Sequence, residues 1–523
     1  MRKLPLWSVG WGGTLFLAAF LPILVAAQGA SDDPVIRTST RLVQVNVVVH
    51  DKNGPVSDLT KADFVLNDRG RPQTIAVFSV ESKRDSPRPG QPPLPPNTFS
   101  NQGERPSGAM SATVVLLDRL NTRFEDQARA NQQFIKFLRS FDPADRIAIY
   151  TLDASLHVLC DFTDANQLQR ILAKYRGAVS TDFAVAEPDP ANTGNDDFDL
   201  SLDTANKNLA DATNIDRARK TLDAFVSIAN HLADLPGRKN LVWVTGSLPF
   251  PMASAARSLN YANIAVYPVD ARGLVGMPRQ LAAVTPSGIK PGKTPVIPSF
   301  RPAGLDTLQD LAEQTGGRAF YNTNDLSGAI HLALRDSAVT YTLGFYPEAN
   351  SLNGKFHDLK VGVRRGGVDV RYRKGYFAFK ETRASERQSL SNLLTAFGSP
   401  LESATIGLQA MVERVNRPKL NSMRIQWTVD IHNLQLSREA DLRTGAINVF
   451  FIQQDGTGRE LNRVQEAFDI RLTKDYYEAY LKSGMTFHND VQWKDGAVTL
   501  RMVLADRSSA ALGSLIVPLS QVK

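Results

Sequence analysis

The sequence predicts an α/β protein built on a doubly wound, mostly parallel sheet over residues 111–346. A flanking β module and a C-terminal β-sandwich over residues 400–523 complete it. Three observations carry this reading. Between Ala112 and Tyr346, short apolar runs such as Thr113–Leu117 alternate with segments whose apolar residues recur at helical spacing. Those runs are apolar on both faces, as strands covered by helices on two sides are. Beyond residue 400 the helical spacing gives way to short alternating strands separated by turn residues.

A chain of 523 residues exceeds a single ordinary domain. Residues 1–27 read as a signal peptide. Arg2 and Lys3 precede an apolar run that ends in small residues, and Val25 and Ala27 fit the small-x-small pattern of a cleavage site. The mature chain would then start near Gln28 and work in the periplasm or outside the cell, with no transmembrane span left. The rival is an uncleaved anchor, but the run Thr14–Ala27 is short for a span of about 20 residues. Losing Arg2 and Lys3 lowers the net charge from +7 to +5. So mild a balance favours acidic surfaces only weakly and gives no sign of a nucleic-acid partner. Cys160 is the single cysteine, so no internal disulfide can form and stability must come from packed cores. Cys160 itself reads as a small buried apolar residue. A catalytic thiol would need a paired histidine, and His157 falls on the opposite face of the same strand.

The elements follow in order. Residues 38–80 form the β module, where Val43, Val45, Val47 and Val49 alternate along a half-buried strand. Residues 82–110, dense in proline, serine and charge, read as an extended, exposed linker. In the central segment, Thr113–Leu117 is the first strand and Phe124–Ser140 a helix. "RIAIYTL" is a strand and "DANQLQRILAKYRG" a helix. Asn214–Leu235 is a long helix stopped by Pro236 and Gly237. "NLVWVT" and "IAVYPVD" are strands, "LDTLQDLAEQTGG" and "DLSGAIHLALRDS" helices, and "AVTYTLGFY" the last strand. Residues 357–380 return as a hairpin with one basic face and are expected to complete the sheet begun by 38–80. "ERQSLSNLLTAF" suits a connecting helix. In "MRIQWTVDI", Met423, Ile425, Trp427, Val429 and Ile431 share the buried face of a sandwich strand.

Ligands of an open parallel sheet sit beyond the carboxyl ends of its strands, and Asp118 ends the first one in "VVLLDRLNT". That segment, together with "LQDLAEQTGGRAFYNTNDLSGAIHLAL", resembles a von Willebrand factor type A domain. The run from Leu42 to Phe379 is similar to secreted bacterial VWFA-related proteins of acidobacterial type. It includes "DLTKADFVLNDRGRPQTIAVFS", "LPGRKNLVWVTG" and "GFYPE" with "GKFHDLKVGVRR". The resemblance implies a type A fold and a role in protein recognition or adhesion. In metal-binding members of that family the first strand ends in Asp-x-Ser-x-Ser, and a loop threonine and a second aspartate complete a Mg²⁺ site. Here Asp118 matches the first position, Leu120 stands in place of the first serine, Thr122 matches the last, and Thr213 is the candidate loop threonine. Gly246 and Ser247 follow "NLVWVT" where the second aspartate would be. The implied site is therefore degenerate: Asp118, Asn121, Thr122 and Thr213 could hold Mg²⁺ weakly, or with an oxygen from a partner. The alternative is that Asp118 and Thr122 cap the next helix and Asn121 shapes the turn.

Contact with a partner is expected on the same face, at Asp118, Asp182 and Ser247. Asp182 belongs to an acidic insertion, Val179–Thr204, that lacks the spacing of an EF-hand loop and reads as a solvated loop. Arg364, Arg365, Arg371, Arg373 and Lys374 make the hairpin face basic, suiting an anionic polymer or, more simply, a solvated edge. No paired-histidine zinc motif, nucleophile elbow or phosphate loop is present. The expected function is thus non-catalytic recognition of an extracytoplasmic protein or envelope component. An extracellular hydrolase carrying a sandwich binding module, and a purely structural envelope part, are the alternatives.

Overall fold

The structure, a computed structural model, describes residues 42–82, 94–102, 112–139, 147–163, 196–235, 237–246, 252–273, 304–336, 338–348, 351–378, 386–417, 420–509 and 511–522. The expected signal peptide at 1–27 and the helix expected at "DANQLQRILAKYRG" lie outside them. Among the described residues, no helix is long and apolar enough to cross a membrane.

β1 (Val43–Asp51) opens the chain with its valines turned into a core and polar residues between them. β2 (Phe64–Asp68) and β3 (Val77–Ser82) follow. β4 (Thr98–Ser100) lies in the stretch expected to be exposed linker, yet it pairs antiparallel with Gln409–Met411. Two side chains explain the difference. Phe99 packs against the C-terminal core, and the buried Asn101 amide bonds the Ser403 carbonyl (2.7 Å), the Ile406 carbonyl (2.9 Å) and the Leu408 N–H (2.8 Å). Proline-rich surroundings hide both in the sequence.

The central sheet is made by β5 (Ala112–Asp118), β6 (Ile147–Leu152), β7 (Leu156–Thr163), β8 (Lys239–Thr245) and β9 (Ile264–Asp270), in the spatial order β9-β8-β5-β6-β7. The first four in that order run parallel and β7 is antiparallel to β6, so the fold is α/β with a mostly parallel sheet. Helix α1 (Phe124–Arg139) packs on one face through Phe134, Phe137 and Leu138. On the other lies α2 (Asp196–Leu232) with Phe225 and Ile228, joined there by α3 (Ala253–Tyr261) and α4 (Leu305–Thr315). Helix α5 (Leu326–Asp336) joins α1 on the first face. Gly317 lets the exit of α4 lie against β9, because a Cβ there would meet the Val266 carbonyl oxygen at 1.8 Å.

Two further elements depart from the sequence reading. α2 begins at Asp196, not Asn214. Its first half carries no apolar stripe, so periodicity is silent there even though leucine, alanine and lysine favour a helix. The C-terminal end of the acidic insertion, residues 196–204, is therefore helix; the rest lies outside the described residues. β10 (Val339–Phe345) does not close the parallel sheet. It runs antiparallel between β1 and β3, with Tyr341 opposite Val47 and Val80. A strand buried on both faces looks the same in either sheet, and aromatic packing of Tyr341 on Phe64 (5.1 Å between centroids) favours this place.

β11 (Phe356–Val363), β12 (Asp369–Arg371) and β13 (Gly375–Phe377) extend the flanking β structure in two sheets, β12-β1-β10-β3 and β13-β11-β2. Helix α6 (Glu386–Gly398) leads into the C-terminal strands β14 (Leu408–Arg417), β15 (Leu420–Val429), β16 (Leu442–Gln454) and β17 (Glu460–Leu472). Helix α7 (Lys474–Ser483), β18 (Met485–Gln492), β19 (Thr499–Asp506) and β20 (Leu512–Pro518) complete the chain. The antiparallel sheets β18-β15-β14-β4 and β17-β16-β19-β20 enclose one core around Trp427, Phe451, Met502 and Leu504.

Candidate functional site

The strand order reverses between β5 and β8, so the crevice above these two strands is the topological switch point where such sheets take ligands. The parallel register pairs Leu116 with Trp243 and Leu117 with Val244, which sets Thr245 beside Asp118. Side chains two apart share a face. Asp118, Trp243 and Thr245 therefore all turn toward α2.

There the Asp118 carboxylate, 2% exposed, is enclosed by donors. Oδ2 accepts from the Asn121 amide (2.8 Å), the Trp243 indole N–H (3.0 Å) and the Thr245 hydroxyl (2.9 Å). Oδ1 accepts from the Asn121 backbone N–H (3.0 Å). Burial raises the Asp118 pKa above the usual carboxylate range against the pull of these bonds. The carboxylate caps the N–H of its own turn rather than α1. Thr122 donates its hydroxyl to the Asp118 carbonyl, and Gln127 ties the turn down through the Thr122 (2.8 Å) and Arg119 (3.2 Å) carbonyls. Gly246 faces the turn at close range: its N–H bonds the Asn121 carbonyl (3.2 Å), and a Cβ would stand 2.8 Å from the same oxygen.

Behind the turn lies a residue that sequence reasoning missed. Arg217, buried in α2, donates from Nε to the Asn121 side-chain oxygen (3.2 Å) and from Nη1 to Asn214 (3.0 Å). Asn121 also donates to Thr221 (3.0 Å). An Arg217–Asn121–Asp118 relay results, with a guanidinium at its inner end. One signal was available: Arg217 and Thr221 lie on the stripe of α2 that continues as Phe225 and Ile228, and an arginine on a buried stripe needs a partner.

This donor set does not fit a metal ion. An ion needs free lone pairs, and those of Asp118 are engaged by four hydrogen bonds, two of them from the Trp243 indole and the Asn121 backbone N–H, which cannot ligate. The Asn121 oxygen accepts from Arg217. Leu120, in place of a ligand, packs into the core at 1% exposure. Thr213, expected as the loop threonine, sits within α2 and bonds the Leu209 carbonyl of its own helix (2.8 Å). Among the described residues, no group of three or more histidine, cysteine, aspartate or glutamate side chains could hold a metal. Asp182 and Ser247 lie outside the described residues.

Elsewhere on the rim, the β6–β7 turn carries Asp153 and Ser155, and His157 follows in β7. Both Asp153 Oδ1 (3.0 Å) and Ser155 Oγ (3.2 Å) approach the same histidine nitrogen, Nε2. A hydrolytic relay needs the acid on one ring nitrogen and the hydroxyl on the other, so these three do not form one. Arg272 grips Asp270 at the end of β9 (2.8 Å). The best-formed cavities among the described residues hold only about 20 and 10 Å³, room for a water rather than a metabolite. Cys160 is buried, and burial pushes its thiol up to about 11, as an inert core residue requires. The basic hairpin is largely spent on internal partners. Arg365 forks onto Asp58, Arg371 bonds Asp336 and Asp369, Arg373 bonds the Gln44 carbonyl, and Lys374 stacks over Tyr372.

No protein-family model matches the chain, and no curated protein matches it. Solved structures overlap it only loosely. A von Willebrand factor type A protein from Catenulispora acidiphila is 7% identical, covering 62% of this chain and 80% of its own, with a TM-score of 0.27. An aerotolerance-related membrane protein from Bacteroides fragilis is 13% identical over 43% of this chain and 98% of its own, at 0.25. Proximal thread matrix protein 1 of the mussel byssus, with a zinc-occupied MIDAS motif, is 8% identical over 45% and 47%, at 0.26. Overlap this low decides neither family nor function.

Proposed function

We propose that this is an exported, non-catalytic recognition protein of von Willebrand factor A-like build, which meets an extracytoplasmic protein or envelope component with the rim above β5 and β8 and needs no metal ion to do so. The observation that carries the reading is the filled coordination of Asp118. A carboxylate that already accepts four hydrogen bonds is neither a general base nor an ion seat; it is a strut that holds the rim turn rigid. The two best-formed cavities among the described residues are water-sized, which favours a macromolecular ligand over a small one. Exposed groups crown the turn, notably Arg123 and Phe124, the latter 49% exposed.

A photo-crosslinking amino acid placed at Phe124 tests this. Tyr261, exposed and just before the opposite, N-terminal end of β9, is the control position. With envelope extract, a discrete adduct is expected at 124 but not at 261, unchanged by EDTA. Equal labelling at both positions, or an adduct abolished by EDTA, would overturn the proposal. Turnover of peptide or glycan substrates by the purified chain would overturn its non-catalytic part.

A further inference from the structure

A second polar cluster, remote from the rim, lies where the C-terminal segment meets the central sheet. His231, near the end of α2, has both ring nitrogens engaged. Nε2 faces the half-buried Asp161 carboxylate of β7 (3.3 Å), and Nδ1 faces the backbone carbonyl of Glu402 (2.9 Å). Both partners are acceptors. A neutral imidazole has one N–H and satisfies one of them; an imidazolium satisfies both. Around this point the C-terminal segment is moored. The Ala404 N–H bonds the Asn230 carbonyl (2.9 Å), Thr395 bonds Asp223 (3.1 Å), and Leu401 enters the central core.

We propose that His231 is a proton-operated clasp: as an imidazolium it joins Asp161 of the central sheet to the Glu402 carbonyl, and on losing its proton it releases one of the two. The groups facing it are few. Asp161 accepts from the Tyr150 hydroxyl of β6 (2.8 Å) as well as from His231. The Glu402 carboxylate takes the Ile516 N–H of β20 (2.6 Å) and is attracted by His231 and by Arg501 of β19. Arg501 bonds the Ala396 carbonyl (3.2 Å). Cys160 and Tyr150 stay protonated, both raised by burial.

Of the three acting groups, His231 and Glu402 titrate in the same sense, and Asp161 stays charged across the range in which they act. Burial opposes the charge on His231, but Asp161 and the Glu402 carbonyl outweigh it and raise its pKa above 6.5. Its contribution is complete below that value and is lost as pH rises through the folded one. Burial lifts Glu402 from 4.5 to about 7, so its contribution also fades as pH rises through neutrality. Burial would raise Asp161, but the bond from His231 prevails and lowers it below 3.8; its contribution is lost only as pH falls through that low value. The clasp is closed in mild acid and loosens toward alkaline pH.

Hydrogen–deuterium exchange of the full chain, read on peptides spanning Leu401–Gly407 and corrected for the chemical exchange rate, tests the proposal between about pH 5.5 and about pH 8.5. Protection is expected to fall at least about fivefold across the range, a change of about 1 kcal/mol. Asp161→Asn should shift the midpoint down by about one unit, and His231→Gln should give weak protection that keeps only the smaller pH dependence supplied by Glu402. Flat protection in the natural chain, or an unshifted midpoint in Asp161→Asn, would overturn it. Asp161 is half-exposed, so its variant keeps the test available should His231→Gln fail to fold.

Discussion

Replacing Asp118 by alanine probes the candidate site most directly. The change strands four buried donors: the Asn121 N–H and amide, the Trp243 indole and the Thr245 hydroxyl. A buried donor without an acceptor costs about 1 kcal/mol or more. Asn121 retains Thr221 as a partner, but Trp243 is fully buried edge-on to Phe225 (5.0 Å) and cannot turn to water. The expected loss is about 3–5 kcal/mol, a Tm roughly 10 °C lower for a unit of this size. Asp118→Asn should lose less, roughly 1 kcal/mol, because its oxygen can occupy the three-donor position and only the Asn121 N–H is opposed. Burial already raises the Asp118 pKa, so a neutral side chain also avoids the cost of burying a charge. Urea titration followed by circular dichroism measures both variants, with and without Mg²⁺. A loss below about 1 kcal/mol for the alanine variant, together with a Mg²⁺-dependent rise in the Tm of the natural chain, would refute the strut and restore an ion seat.

Three further outcomes follow from named contacts. Arg217→Met should destabilise by about 2–4 kcal/mol, unrelieved by Mg²⁺. Arg217→Lys should not rescue it, because one ammonium cannot reproduce the fork onto Asn121 and Asn214; thermal unfolding reads both. Asn101→Ala should cost about 2–3 kcal/mol and loosen the C-terminal sheets, seen as a red shift of Trp427 emission, since one amide serves three backbone groups. Cys160 should resist thiol reagents in the native chain at pH 8 and react fully in urea, because its thiol, pushed up to about 11, stays protonated when buried.

Much of the fold was legible because burial leaves a periodic trace. The strands beginning at Ala112, Ile147, Lys239 and Ile264 are buried throughout and carry continuous apolar runs, and helices such as Leu305–Thr315 carry a clear stripe closed by Gly316. What failed has physical reasons. The amino half of α2 has no apolar face to read. β10 is buried on both faces, which suits either kind of sheet, and long-range contacts of Tyr341, with the Phe64 ring and through its hydroxyl with Val56 and Leu59, favour its place. β4 is three residues long and sits among prolines. At the site, Asp118 and Asn121 were visible as a strand-end acid and a turn residue. Their partners were not, because which strands are neighbours, and in what register, is a long-range fact. Once Leu117 is known to face Val244, the donors Trp243 and Thr245 follow from period two alone.

The same register explains why this rim differs from an ion-dependent one. A seat for Mg²⁺ keeps carboxylate lone pairs pointed at open water, so that ion and partner arrive together. Here the adjacent strand supplies an indole and a hydroxyl at the level of Asp118, and α2 supplies a guanidinium through Asn121. An incoming cation would have to break at least one buried hydrogen bond, move an indole locked among core side chains, and approach a fixed positive charge. Each is a cost that only the hydroxyl oxygens of Thr245 and Thr122 are placed to offset, since Leu120 faces the core and Thr213 bonds a carbonyl of its own helix. On the proposed reading, a rim built this way is not switched by the availability of metal. Its geometry is set once, on folding, and any control over the molecule must act elsewhere. The far end of α2 offers such a place: His231 lies about 21 Å along the helix from Arg217. There the attachment of the C-terminal segment depends on a proton rather than on an ion.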